Sequence, residues 1–163
     1  MTNKQVGEIL FNSEIHKWDV NNSEFSQQLN EKKDVIILIE DERMNLFGGY
    51  IGNEIIFDEN VDDNSCYVFS LRKKGKYTMK QYFRNDKGYS YKIASNESEK
   101  LITFGINAND DNEEKNSKDI TLFKSNCSSG YCKQDCYEYS DEQFALTNKC
   151  HFNIKRIIVY QLN

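Results

Sequence analysis

The stretch DVIILIEDERMNLFGGYIGNE, residues 34–54, joins two apolar runs through a short charged turn. Val35 to Ile39 is apolar at every position, so an extended segment there is covered on both faces, the pattern of a central strand. The second run carries a glycine pair between aromatics, Phe47-Gly48-Gly49-Tyr50. A phosphate cradle needs more glycines at fixed spacing and a helix N-terminus behind them. Gly52 is followed instead by further strand-type sequence. The pair is therefore structural, marking a bulge or the close approach of another backbone in a strand.

Working outward, strand-like segments dominate. Val35–Glu40, Asn45–Ile51, Cys66–Leu71, Tyr89–Ile93, Leu101–Gly105, Ile120–Phe123 and Phe152–Gln161 are short and rich in Ile, Val, Phe and Tyr. Clusters of Asn, Asp, Gly and Ser bound them. The basic cluster Arg72-Lys73-Lys74-Gly75-Lys76 has the glycine of a hairpin tip. One helix is expected in NSEFSQQLNEKK, with a Ser at the N-cap and Phe25 and Leu29 on one face. Residues 7–17 fit neither period. Strands throughout with few helices predict a mainly β chain, a two-sheet antiparallel β-sandwich with peripheral helices.

The composition supports one folded domain over residues 1–163. Ile, Leu, Val and Phe supply 40 of 163 residues, about a quarter, enough for a core. Net charge is −5, and the basic cluster is the only dense one, which argues against nucleic acid as a partner. MTNKQVGEILFNSEIHKW has no apolar run of the signal-peptide kind, and no window is long and apolar enough for a spanning helix. A cytoplasmic protein without direct membrane insertion is expected. NANDDNEEKNSK, residues 107–118, is an acidic, solvated loop.

No catalytic set emerges, and no cofactor is expected. Cys127, Cys132, Cys136 and Cys150, with His151, supply soft donors for zinc, but paired C-x2–4-C knuckles are missing. The alternative is cysteines packed as small hydrophobes. Cys150 and His151 are adjacent, so on a strand they point to opposite faces, a poor arrangement for proton transfer. Asp58, Asn60 and Asp62 begin an EF-hand pattern that fails at Asp63 and Phe69.

Several segments taken in order resemble the TLDc domain of the oxidation-resistance protein family, above all its short single-domain protist versions. They are ILFNSEIHKW, FSQQLNEKKDVIILIEDERMNLFGGYI, SCYVFSLRKKGK, ITFG at 102–105, DITLFKSNCSSG at 119–130 and FNIKRIIVYQL. The resemblance implies a β-sandwich in which Phe47, Gly48, Gly49, Tyr50, Phe69, Phe104 and Gly105 are scaffold positions. It also implies a non-catalytic interaction domain, linked to protection against oxidative damage. Several members of the family bind the vacuolar proton-pumping ATPase, so pump subunits are the expected partners, on endolysosomal membranes reached through them. The chain departs from the family pattern at the acidic loop before Asp119 and at Ile158, where a glutamate is usual. Asp110, Asp111, Glu113 and Glu114 of that loop are the expected contact residues. The alternative function is a small-molecule or carbohydrate-binding module, with Tyr67, Tyr77, Tyr89 and Tyr91 as platform aromatics or as ordinary strand packing.

Overall fold

The computed structural model describes residues 3–95, 98–108, 118–125, 129–132, 136–139, 144–147 and 149–163. Asp110, Asp111, Glu113, Glu114 and Cys127 lie outside these residues. In chain order the elements are β1 (Val6–Asn12), α1 (Phe25–Leu29), β2 (Val35–Asp41), β3 (Leu46–Ile51), β4 (Tyr67–Lys73), β5 (Lys76–Phe83), β6 (Gly88–Ile93), β7 (Lys100–Asn107), β8 (Lys118–Phe123), β9 (Ser129–Tyr131) and β10 (His151–Leu162).

All ladders between these strands are antiparallel. The strands follow one hydrogen-bonded path, β5-β4-β3-β2-β10-β9-β8-β7-β6, with β1 added beside β10. The expectation of a mainly β, antiparallel fold is met. The hydrogen bonds run as one continuous path because β10, at its middle, pairs into both halves. His151–Asn153 pair with β9, and the rest of the strand runs between β2 and β1. Of the expected helices, the described residues contain only α1, five residues long, with Phe25 and Leu29 buried as their spacing indicated.

Hairpin chemistry accounts for the clearest strand pairs. Between β2 and β3, the buried Asp41 carboxylate accepts the Arg43 and Asn45 backbone amides, each at 2.9 Å, and the Asn45 side-chain amide at 2.6 Å. Those bonds hold Met44 at φ +62° and turn the chain. Between β4 and β5, Lys73 pairs with Lys76, leaving a two-residue loop. Lys74 (φ +50°) and Gly75 (φ +78°) both lie in the left-handed region, as a type I′ hairpin turn demands.

The path folds back over itself around one core. The rings of Phe47 on β3 and Phe152 on β10 meet edge-on at 5.1 Å. Phe104 on β7 lies against the backbone of Gly49 on β3, where an added Cβ would come within 2.4 Å of its ring. At Gly105, beside Phe104, φ is +67° and a Cβ would lie 2.0 Å from Asp119 Oδ2. Among the described residues no helix is long and apolar enough to cross a membrane.

Candidate docking groove

β2 alternates strictly. Val35, Ile37 and Ile39 are fully buried in the core, while Ile36 and Leu38 face the other way. On that outer face they join a second apolar cluster with Tyr50, Tyr67, Phe69, Leu71 and Leu162. Direct cross-strand partners stand on the same face of a sheet. One row therefore runs Tyr160, Ile36, Tyr50, Tyr67 across β10, β2, β3 and β4. The next runs Ile158, Leu38, Gly48, Phe69 and Gln81, reaching β5.

Gly48 sits between Leu38 and Phe69 in that row and adds no side chain, and the Phe69 ring comes close to it. A Cβ there would lie 1.8 Å from the Ile37 carbonyl oxygen and 3.3 Å from Phe69. On this face lies a groove of about 420 Å³, lined by Ile36, Leu38, Tyr67, Phe69 and Tyr160, with Val6 on β1 and Met79 on β5 at its sides. Val6 and Met79 are 66% and 63% exposed, so the apolar surface continues past the rim. Lys80 and Gln81 supply its polar wall on β5. An apolar concavity of this size with a few polar groups is the usual form of a recognition site.

Tyr50 stacks on Tyr67 at 5.0 Å and donates its hydroxyl to Asp34 Oδ1 at 2.7 Å. Asp34 also takes Lys4 Nζ at 2.6 Å. Burial works to raise the Asp34 carboxyl, but the bonds from Lys4 and Tyr50 outweigh it and hold it below its usual value. Burial and the facing Asp34 push the Tyr50 phenol well up, so it stays a donor. Through the Tyr50–Tyr67 stack this network braces Tyr67, which lines the groove.

The remaining sequence-selected residues scatter. Of the four tyrosines proposed as a platform, Tyr67 alone lines the groove. Tyr91 is fully buried, whereas Tyr77 is 82% and Tyr89 38% exposed. Cys132 and Cys136 are buried and Cys150 is half-buried, with the Cys132 amide donating to the Cys150 carbonyl at 2.6 Å. Burial pushes the Cys132 thiol far up, and the Cys66 thiol likewise. No group of three or more His, Cys, Asp or Glu among the described residues is placed to hold a metal ion.

The buried carboxylates are bonded as scaffold. Asp63 accepts the amides of Gly52, Asn53 and Ser65 at 2.9–3.1 Å, and Asp119 accepts Cys136 N at 2.7 Å. His16 Nδ1 accepts the Asn12 amide at 3.0 Å. The groove residues on β1, β5 and the end of β10 escaped sequence reasoning. The signal that could have found them is the two-faced apolar run Val35–Ile39, whose second face needs something to lie against.

Fold and site together define a β-rich domain with an apolar groove on the outer face of its strands. The TLDc domain family model matches residues 3–163. The chain belongs to the TLDc domain family, and the match spans essentially its whole length. No curated protein matches it.

Proposed function

We propose that this chain is a non-catalytic interaction domain that engages a protein partner, either in protection against oxidative damage or in regulating the vacuolar proton-pumping ATPase. The observation that carries the reading is the apolar outer face of β2, β4 and β10, which opens into a groove of about 420 Å³. Family membership supplies the direction: oxidative-stress protection is the family's theme, and the pump is a partner of several members. In this reading the strand path is a two-layer sandwich, supported by Phe104 resting on Gly49, and the domain works on the cytoplasmic face of endolysosomal membranes through its partner.

Affinity purification of the intact chain from cell extract at low salt tests the reading, with pump subunits the expected catch. Recovering none overturns the pump assignment. Replacing Asp110, Asp111, Glu113 and Glu114 by Asn and Gln leaves the melting temperature nearly unchanged, as expected for solvated charge, and reduces that recovery if the acidic loop makes the contact. Equal recovery moves the contact away from the loop. A small-molecule function is the second reading, favoured by the groove's volume of about 420 Å³, which falls in the range of ligand pockets.

A further inference from the structure

The β4–β5 hairpin differs in charge from the rest of the chain. Residues 71–84 hold Arg72, Lys73, Lys74, Lys76, Lys80 and Arg84 and no Asp or Glu. Arg72 is paired with Glu40 at 3.0 Å and Arg84 with Asp62 at 2.8 Å. With those two carboxylates counted in, the hairpin still carries +4 against −9 on the remainder of a chain of net charge −5, so positive charge is concentrated there. The same hairpin supplies the wall of the groove through Leu71, Met79 and Lys80. Apolar floor and cationic flank are thus contiguous.

We propose that the groove and the β4–β5 hairpin form one docking site for an amphipathic, acidic α-helix of a partner protein, its apolar face in the groove and its carboxylates toward the hairpin. The proposal rests on the reading of the chain as a protein-interaction domain. From β1 to β5 the outer face crosses five strand spacings, roughly 24 Å, the length of about 16 helical residues. An extended peptide is the poorer fit. β5 is the end of the strand path, but Met79 at φ +50° and a register shift between Ser70 and Arg72 interrupt its edge as a template for strand addition.

A bilayer is disfavoured too, because the apolar surface is concave and the rest of the chain is strongly acidic. A second copy of this chain does not offer the ligand from its described residues. Their one helix has five residues, and its apolar side chains Phe25 and Leu29 are buried in its own core.

The test uses the intact chain and two fluorescein-labelled 16-residue helical peptides, each with a leucine face, one with glutamate and one with lysine on the other. Anisotropy titrations should show the glutamate peptide binding at least about tenfold more tightly in low salt, and losing about tenfold as salt screens the attraction. Leu38→Gln, on the groove floor, should weaken it about tenfold. Lys74→Asp with Lys76→Glu should reverse the preference toward the lysine peptide. That pair spares the fold, since Asp-Gly is a favoured type I′ turn sequence.

Equal binding of both peptides overturns the proposal, as does binding that neither variant changes. Anionic phosphatidylserine vesicles or palmitate binding in place of the glutamate peptide overturns it in favour of a lipid site. Pump subunits retained undiminished by the Leu38→Gln chain would refute the groove and leave the pump reading standing. Peptide binding as expected with no pump subunits recovered would do the reverse.

Discussion

Adding one methyl group at Gly49 should cost more than its size indicates. An ideal Cβ there would lie 2.4 Å from Cε1 and Cζ of Phe104 and 2.9 Å from Cε2, where ordinary contact begins near 3.4 Å. The ring must retreat by about 1 Å, and Phe104 is fully buried between Tyr91 on β6 and Ile120 on β8, in a close-packed interior. Overpacking of this kind costs about 1–3 kcal/mol. The lower chain entropy of Ala in the unfolded state offsets up to about 1 kcal/mol of that. Gly49→Ala should therefore lose about 1–2 kcal/mol, a fall of about 2–8 °C in Tm for a chain of this length. Gly49→Val should lose more.

Phe104→Leu alone leaves a cavity and costs about 1–2 kcal/mol. In the double variant the smaller leucine makes room for the new methyl, so the loss should fall short of the sum by about 1 kcal/mol. Gly48→Ala is the control, because its methyl would strike the Ile37 carbonyl oxygen at 1.8 Å and no side-chain truncation relieves a backbone clash. Urea denaturation of the four chains in the cycle, with Gly48→Ala beside them, reads all of this. Strict additivity of Gly49→Ala and Phe104→Leu would refute the close-approach account, as would a Gly49→Ala chain as stable as the parent.

Two further outcomes follow from the titratable groups. The carboxyl of Asp34 is lower in the folded chain than in the unfolded one, so its contribution to stability is present above about pH 4 and lost as pH falls through the folded value. Asp34→Asn should accordingly flatten the acid limb of a Tm-against-pH profile, and an unchanged limb would contradict the Lys4–Asp34–Tyr50 network. In residue-resolved alkylation at pH 8, half-buried Cys150 should react before buried Cys66, Cys132 and Cys136. Faster labelling of Cys66 than Cys150 would show that the core around β4 opens readily.

The parts of the fold legible in the sequence are those whose side chains repeat at period two or are apolar throughout. β2, β3, β7 and most of β10 are of this kind. β5, KYTMKQYF, is hidden because it is an edge strand with one buried side chain, Tyr82, so no buried alternation marks it. β1 was ambiguous for a different reason. Two register shifts against β10 break its alternation, leaving Leu10, Phe11 and Asn12 buried in succession. The three-residue β9 carries almost no local signal and exists through its pairing with β8 and β10. Val35–Ile39 was expected to be covered on both faces. Its second face meets Tyr50, Tyr67 and Phe69 only in part and otherwise opens into the groove.

That distinction separates stability from recognition in the glycine pair of residues 48 and 49. Successive residues on a strand face opposite sides, so two neighbours that look equivalent in sequence serve different surfaces. Gly49 faces inward and admits Phe104, which ties β3 to β7 across the core. Gly48 stands in the outer row between Leu38 and Phe69, both of which line the groove. Changes at the buried positions Gly49, Phe104 and Gly105 should appear in the melting temperature. Outer-row changes such as Leu38→Gln should appear chiefly in partner binding, since Leu38 is only partly buried and contributes less to the core. The two classes of variant, measured for both properties, separate loss of the fold from loss of the docking surface.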